Sequence, residues 1–323
     1  MSLTLCVTTP EGIVLSADSR QTYQNVVGAK RIGSDSATKI FSVNNKIGIT
    51  VAGPAFLVDP NDKNGEAKGI GSFIKELILK EDKKITVSSI AKILYDGLEK
   101  IYNPKTLLAK MESEIEVKLK QMGAKVIKKQ VKNNGQAIVV DFIDGNGKPQ
   151  NAVGQIMSID IMIAGYDYSE KGIPELNLYK VSIPGEIINS RKQGAKNQFG
   201  ASWTGQTDVV HRTILGFDPR IGSTATVQAA AKNLGEDKVK EDLRTLEYII
   251  NWGAMTLFDA VDFAKLMVET TSAIQRFSDG IKLLPGDMPG VGGPVDVAII
   301  TPQEGFRWHQ KKELNLIDNC RSK

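Results

Sequence analysis

The sequence predicts an α+β protein in which helix layers cover both faces of a mainly antiparallel double sheet, a four-layer αββα sandwich. Three observations lead to this prediction. Short β-rich segments come in groups, helical patterns come in groups between them, and the two kinds do not alternate as they do in a βαβ fold. The chain has 323 residues, which exceeds the usual size of one domain and indicates either one large domain with an insertion or two domains.

The composition is that of an ordinary globular protein. Hydrophobic residues make up 41% of the chain and charged residues 24%, so the chain can bury a core of normal size. Lys and Arg number 41 against 37 Asp and Glu, which gives a net charge of only +4. Because the two signs nearly cancel, neither a nucleic-acid nor a membrane partner is expected.

Cysteine and histidine are scarce. Cys6 and Cys320 lie at opposite ends of the chain, so they predict neither a disulfide framework nor a metal cluster, and they fit a reducing compartment. His211 and His309 are the two histidines, and we expect no metal and no cofactor. The apolar runs fall short of the roughly 18 residues that span a bilayer, and the first residues do not resemble a signal peptide. We therefore expect a cytoplasmic protein without a leader.

The first half of the chain predicts two hairpins followed by two helices. Residues 3–8 and 13–17 flank a Thr-Pro-Glu-Gly turn, and residues 39–43 and 47–51 flank a second turn that closes at Ala-Gly-Pro. The polar segment 21–37 between the hairpins is expected to be a surface loop. Helices are predicted over 67–79 and over 87–101, the second behind an N-cap at Thr86.

The middle block, residues 104–154, is interpreted as an insertion in a single domain that spans residues 1–323. It is rich in Lys and Glu at helical spacing up to about residue 132, and an Asp-Gly-Asn-Gly turn follows a strand at 137–143. Two interpretations stay open for this block. It is either a solvated amphipathic helix with an extra strand, or an arm that docks a partner or gates substrate.

The second half repeats the grouped pattern. Strands are predicted over 158–165, 175–182, 198–203 and 295–301, and helices over 207–216, 224–233, 237–252 and 257–277. The glycine-rich run 290–293 precedes a strand rather than a helix, which favours a tight turn over a phosphate cradle. Phosphate-loop, zinc-protease and serine-elbow motifs are missing from the sequence.

Several motifs occur in order along the chain: GIVLSADSR at 12–20 with Thr22, KIF at 39–41, ITVAG at 49–53, IMIAGYD at 161–167, the helical pattern 256–276 and GGPVDVAIIT at 292–301. Together they resemble the β-type subunits of the proteasome family, including the bacterial ring peptidases and the ancestral β-subunit type. The resemblance covers both ends of the chain and leaves out mainly the middle block. It implies the N-terminal nucleophile hydrolase form of the αββα sandwich.

The resemblance also implies a set of catalytic residues. Counting back from Asp18 by the family's spacing leads to Ser2, whose hydroxyl would be the nucleophile once Met1 is removed. The free α-amino group, with an ordinary pKa of about 7.7 to 8.0, would act as the base. Lys39 would lower the pKa of the hydroxyl, Asp18 would hold Lys39, and the N–H of Gly53 would stabilise the oxyanion.

Further residues follow from the same resemblance. Thr204 stands where family members carry a supporting serine, and Phe277 stands where an aspartate is expected, so either Asp279 or Asp287 would replace it. The substrate-binding residues that the resemblance implies are Thr22, Val51, Gly53 and Ala55, with Val51 making the first specificity pocket apolar.

The resemblance thus predicts a peptidase that assembles into a homo-oligomeric ring or open spiral, with an ATP-dependent unfoldase as a compatible partner. Two alternatives stay open: a small-substrate amidohydrolase with the same nucleophile, and a non-catalytic assembly subunit, which is suggested by Phe277 and Ser2. Each residue also has an ordinary interpretation. Lys39 could be a solvated charge on a strand, and Asp18 with Arg20 could be a surface ion pair.

Overall fold

The computed structural model describes residues 2–24, 30–59, 65–79, 85–282, 284–285 and 288–313. The chain divides into two compact units, of which unit 1 comprises Met1–Ile40 with Phe199–Lys323 and unit 2 comprises Phe41–Gln198. The strands are β1 Leu3–Thr8, β2 Ile13–Ala17, β3 Gln21–Gln24, β4 Lys30–Ser34, β5 Ile40–Val43, β6 Ile47–Ala52, β7 Phe56–Val58, β8 Ala67–Gly69, β9 Lys125–Lys132, β10 Ala137–Ile143, β11 Pro149–Gln155, β12 Ile159–Tyr168, β13 Pro174–Ile183, β14 Ile187–Lys192, β15 Gly200–Gly205, β16 Gly280–Ile281, β17 Leu284–Pro285, β18 Asp296–Thr301 and β19 Gly305–Gln310. The α-helices are α1 Ile70–Ile78, α2 Val87–Tyr102, α3 Pro104–Gln121, α4 Asp208–Ile214, α5 Ala225–Leu234, α6 Glu236–Arg244 and α7 Leu257–Arg276.

Unit 1 is built on a five-stranded antiparallel sheet in the order β15-β1-β2-β18-β19. Every residue of β1 and β2 is buried, so the hairpin predicted at the start of the chain is a central part of the sheet. The turn between them is closed by Thr9, whose Oγ1 accepts the N–H groups of Glu11 and Gly12. A Cβ on Gly12 would lie 2.9 Å from the carbonyl oxygen of Ile300, so only glycine lets β2 and β18 approach this closely.

Helix α7 covers one face of this sheet. Its buried residues, such as Ala264 and Val268, pack with Leu3 and Leu5 of β1 in one apolar cluster. A capping box starts the helix, since Thr256 accepts the N–H of Asp259 and the carboxylate of Asp259 accepts the N–H of Thr256. This packing holds the helix against the strand that carries the first residues of the chain.

Unit 2 contains a second five-stranded antiparallel sheet, in the order β14-β13-β12-β6-β5, with α1 and α2 packed on it. The apolar stripe of α2 is buried at Ile90, Leu94 and Leu98. Thr86 caps this helix through the N–H of Ser89, which confirms the predicted cap.

The middle block of the chain has a core of its own within unit 2. Helix α3 packs on the three-stranded sheet β11-β10-β9 through Leu108, Leu119, Ile138, Val140 and Phe142. The predicted turn after β10 is present, with Asp144 Oδ1 accepting the N–H groups of Asn146 and Lys148. The helical spacing predicted up to residue 132 is wrong beyond Gln121: Gly123, at φ +68°, ends the helix, and the chain returns as β9.

Other elements also differ from the prediction. The helix predicted over 67–79 begins only at Ile70, because residues 67–69 form β8, which pairs with β7. The segment 21–37, predicted as a loop, contains the paired strands β3 and β4. Helix α6 ends at Arg244 instead of residue 252, because the chain makes tight turns after it and the N–H of Tyr248 donates to the carbonyl of Ile214. His309, expected in a tail, lies on β19. Within the described residues, no helix combines the length and the apolar character needed to cross a bilayer.

Candidate active site

The carboxylate of Asp18, directly after β2, is the centre of a buried polar cluster in unit 1. Its side chain is fully buried and accepts four hydrogen bonds. Oδ1 accepts from the N–H of Leu3 at 2.9 Å and from Nζ of Lys39 at 2.6 Å. Oδ2 accepts from the N–H of Arg20 and of Gly292, each at 3.0 Å. Asp18 therefore connects three separate parts of the sequence at one point.

Lys39 is buried, with 6% of its surface exposed, so it is not a solvated strand charge. Its ammonium donates to Asp18 Oδ1 and, at 2.6 Å, to the carbonyl oxygen of Arg20. Burial lowers the pKa of Lys39 below its ordinary value, and the positive charges of Lys312 and Arg20 lower it further, while Asp18 opposes the shift. Lys39 therefore lies beside a buried carboxylate in a water-poor site, where a charge acts strongly on neighbouring groups.

The guanidinium of Arg20 pairs with Asp35 rather than forming a surface pair with Asp18. Nε donates to Oδ1 of Asp35 at 2.8 Å and Nη2 donates to Oδ2 at 3.0 Å, a two-bond geometry. Hydrogen bonding to Arg20 lowers the pKa of Asp35 below its ordinary value. The pair fixes the chain on either side of β3 and β4, next to the backbone of Arg20 that contacts Asp18 and Lys39.

Ser2 precedes β1 and is also buried, with 6% exposed. Its carbonyl oxygen accepts the N–H of Gln206 at 2.7 Å, which extends the pairing of β1 and β15 by one residue beyond Leu3 and Gly205. The N–H of the following residue, Leu3, donates to Asp18. The peptide that joins Ser2 to Leu3 is therefore held on both sides, while Met1 lies outside the described residues.

The other sequence-predicted residues of unit 1 are less closely connected to Asp18. Thr204 lies opposite Thr4 in the sheet, and the two hydroxyl oxygens are 2.9 Å apart. Thr22 lies in β3 opposite Ile32. Asp279 is exposed and is not among the groups joined at Asp18, and Asp287 lies outside the described residues.

Val51, Gly53 and Ala55 belong to unit 2. Val51 is buried in the apolar core of that unit, and the carbonyl of Ala55 accepts the N–H of Ile70. Gly53 has a φ of +137°, and a Cβ there would lie 2.5 Å from the carbonyl oxygen of Ser158. A glycine is therefore required at position 53 by the local backbone, in addition to any role toward substrate.

A second, partly buried ion pair was not predicted from the sequence. Asp296, the first residue of β18, accepts the N–H and the ammonium of Lys312. The charge of Lys312 also acts on Lys39, so the two ion pairs are electrostatically linked. The available signal was Asp296 itself, an acid in an otherwise apolar strand, which needs a cationic or hydrogen-bonding partner when buried.

The histidines lie apart from this cluster. His211 accepts a 2.9 Å hydrogen bond at Nε2 from the indole N–H of Trp203, and His309 is exposed on β19. Cys6 is buried on β1, and Cys320 lies outside the described residues. Within the part of the chain that the structure describes, no group of three or more His, Cys, Asp or Glu side chains is arranged to bind a metal ion.

The chain matches no family model and no curated protein, but it does match solved structures. An Anbu (Gly-1) mutant from Hyphomicrobium sp. strain MC1 is 12% identical over 99% of this chain and 89% of that chain, with a TM-score of 0.45. HslV from Trypanosoma brucei is 11% identical over 93% of this chain and 99% of that chain, with a TM-score of 0.36. The chain resembles the proteasome β-subunit-like family in its ordered motifs.

Proposed function

We propose that the chain is a peptide-bond hydrolase whose nucleophile is the hydroxyl of Ser2, made available by removal of Met1. The observation that supports this most directly is the shared carboxylate oxygen of Asp18. It binds the ammonium of Lys39 at 2.6 Å and the N–H of Leu3, the residue next to Ser2, at 2.9 Å. A buried cation is thereby fixed beside the start of β1.

The proposed reaction uses the amine of Ser2 as general base. The hydroxyl oxygen attacks the carbonyl carbon of the substrate, its proton passes to the amine directly or through a water, and the carbonyl oxygen becomes an oxyanion. The protonated amine then gives the proton to the leaving nitrogen, the C–N bond breaks and an ester on Ser2 remains. Water hydrolyses this ester and restores the hydroxyl. Lys39 stabilises the negative charge that develops on the serine oxygen during attack.

The buried position of Lys39 suits that role. In a site of low dielectric a positive charge acts more strongly on a nearby oxygen than it would in water. Asp18 holds the ammonium in place, and its other contacts, to Arg20 and Gly292, keep the carboxylate itself from moving. Lys39 therefore needs little reorganisation when charge develops on Ser2.

The remaining parts of the proposal come from the sequence resemblance. Gly53 would supply the oxyanion N–H, Thr22, Val51 and Ala55 would contact an extended peptide, and Thr204 and Asp279 would support the terminal amine. We also propose the four-layer arrangement of the sheets, a ring or spiral of copies, and a cytoplasmic location, with an unfoldase as a compatible partner.

Mass spectrometry of the intact protein tests the proposal. We expect Met1 to be absent, and we expect a β-lactone and a peptide epoxyketone each to add their mass to Ser2. The two probes differ usefully, because a lactone acylates an activated hydroxyl whereas an epoxyketone closes a stable ring only with a hydroxyl and a free amine on one residue. Ser2→Ala is the matched control and should take up neither probe.

Hydrolysis of fluorogenic peptides completes the test. Turnover that disappears in Ser2→Ala supports the proposal. Turnover by protein that retains Met1 would exclude the mechanism. Absence of both adduct and turnover in protein that has lost Met1 would favour the non-catalytic assembly subunit instead.

A further inference from the structure

Two glutamines, Gln206 and Gln275, connect Ser2 with the loop that contacts Asp18. The main-chain N–H of Gln206 donates to the carbonyl oxygen of Ser2 at 2.7 Å. The side-chain Oε1 of Gln206 accepts from Nε2 of Gln275 at 3.2 Å. Gln275 lies in the last turn of α7, the helix that packs on β1. A helix side chain is therefore attached to the strand end that pairs with Ser2.

The other end of the Gln275 amide holds the glycine-rich loop before β18. Its Oε1 accepts the N–H of Val291 at 2.9 Å, and the N–H of the next residue, Gly292, donates to Oδ2 of Asp18 at 3.0 Å. The carbonyl of Gly292 accepts the N–H of Ser19 at 2.9 Å. Gln275 thus fixes the peptide group that presents a donor to the carboxylate.

The orientation of the Gln275 amide follows from these partners. A main-chain N–H can only donate, so the Gln275 atom that faces Val291 must be the oxygen. The amide nitrogen then faces Gln206, whose side chain must present its own oxygen. Neither contact could be made by an aliphatic side chain, and a carboxylate could make only the contact to Val291 without rearranging Gln206.

Together these hydrogen bonds, with the peptide links between them, form a closed ring of residues. It runs from Ser2 through Gln206, Gln275 and the Val291-Gly292 peptide to Asp18, and from Asp18 through the N–H of Leu3 back to the peptide of Ser2. We propose that Gln275 is a positioning residue that holds the Ser2 backbone and the Asp18 carboxylate in one fixed arrangement. This inference rests on the proposed role of Ser2 as nucleophile.

The position of Gln275 bears on the missing aspartate of the sequence motif. Phe277, which stands where that aspartate is expected, is 81% exposed and lies just beyond α7. Gln275, two residues earlier, is partly buried and makes the contacts described above. Because its amide is neutral, it orders the chain around Ser2 without adding a negative charge that would raise the pKa of the terminal amine.

Turnover by Gln275 variants, measured as kcat and KM against pH, tests the positioning role. Gln275→Ala should lower kcat by about ten- to hundredfold, the cost of a displaced catalytic group, with little change in KM. Gln275→Glu keeps the acceptor for Val291 and should retain more activity. Its added negative charge should move the acid limb of the pH profile to higher pH, because the amine of Ser2 then holds its proton more tightly. Glu269→Ala, at an exposed position on the same helix, is the control.

A kcat for Gln275→Ala within about twofold of the wild-type value, or a pH profile of Gln275→Glu that does not move, would overturn the inference. A second readout separates this result from failure of the proposed function. Amide hydrogen exchange at Leu3 and Gly292 should be faster in Gln275→Ala than in the wild-type protein, whether or not the protein turns over peptides. Unchanged exchange at both amides would rule out the positioning role by itself. If Gln275→Ala fails to fold, the same exchange measurement on Gln275→Glu decides the matter, with faster exchange expected at Leu3 only.

Discussion

Lys39 and Asp18 share a buried 2.6 Å hydrogen bond, but the rest of the site supports the two side chains unequally. The carboxylate keeps three main-chain N–H donors besides the ammonium. The ammonium also donates to the carbonyl of Arg20, a neutral group. The negative member of the pair is therefore better solvated by the protein than the positive member.

This asymmetry predicts that loss of Asp18 costs more stability than loss of Lys39. Asp18→Asn leaves a buried cation without its counter-charge and turns an amide nitrogen toward main-chain donors, so it should reduce the free energy of unfolding by about 3 to 5 kcal/mol. Lys39→Met keeps the volume and removes both hydrogen bonds of the ammonium, but Asp18 keeps its three main-chain donors, so the cost should be about 1.5 to 3 kcal/mol. Urea unfolding of both variants measures the difference, and the reverse order would contradict the asymmetry.

Replacing Lys39 should reduce peptide turnover more severely than it reduces stability. Lys39→Met removes the cation that stabilises the serine oxygen, so we expect peptide hydrolysis to fall by about a hundredfold or more while the protein stays folded. Circular dichroism and hydrolysis of a fluorogenic peptide on the same sample check this expectation. Activity close to the wild-type level in a folded Lys39→Met protein would remove Lys39 from the mechanism.

The lowered pKa of Lys39 predicts a specific dependence of stability on pH. Between the folded-state pKa and the ordinary value of 10.5, the folded protein has released the proton of Lys39 and the unfolded chain has not. The unfolded chain binds more protons there, so this residue makes the protein more stable as pH rises through that window. Urea unfolding of the wild-type protein and of Lys39→Met at several alkaline pH values measures this dependence. The free energy of unfolding of the wild-type protein should rise relative to that of Lys39→Met as the pH increases through the window.

The Arg20–Asp35 ion pair predicts a loss of stability at acid pH. Because Arg20 holds the pKa of Asp35 below its ordinary value of 3.8, the pair contributes stability above that pH and loses it as pH falls through the folded-state pKa. Asp35 is nearly half exposed, so its contribution should stay below about 1 kcal/mol. Asp35→Asn should remove this acid dependence, whereas Asp237→Asn, at a fully exposed carboxylate, should leave it unchanged.

The part of the site nearest the chain start could be predicted because its residues lie in ordered motifs. The motif resemblance paired Asp18 with Lys39, and the two side chains do form an ion pair in the structure. The hairpin β1–β2 was predictable for a local reason: its apolar segments flank a turn with Pro10 and Gly12. Local turn chemistry and strand periodicity are contained in a few neighbouring residues.

Long-range partners could not be predicted in the same way. Gln275 lies 69 residues from Gln206, and only the packing of α7 on the sheet brings their amides together. Lys312 meets Asp296 because β19 folds back beside β18. Neither glutamine nor a lone lysine carries a sequence signal for such a contact, since both residue types are common on surfaces.

Two glycines in the loop before β18 allow a test of how this loop packs against the Arg20–Asp35 ion pair. At Gly293 the backbone has a φ of +71°, and a Cβ would lie 2.7 Å from the carbonyl oxygen of Asp35, so Gly293→Ala should destabilise the protein by about 1 to 3 kcal/mol. At Gly292 an added Cβ would lie 2.5 Å from the guanidinium carbon of Arg20, a side-chain end that can move. Gly292→Ala should therefore cost less but separate Arg20 from Asp35. A double-mutant cycle on urea unfolding checks this: Asp35→Asn should have no further effect in the Gly292→Ala background, whereas additive effects would show that the ion pair survives the substitution.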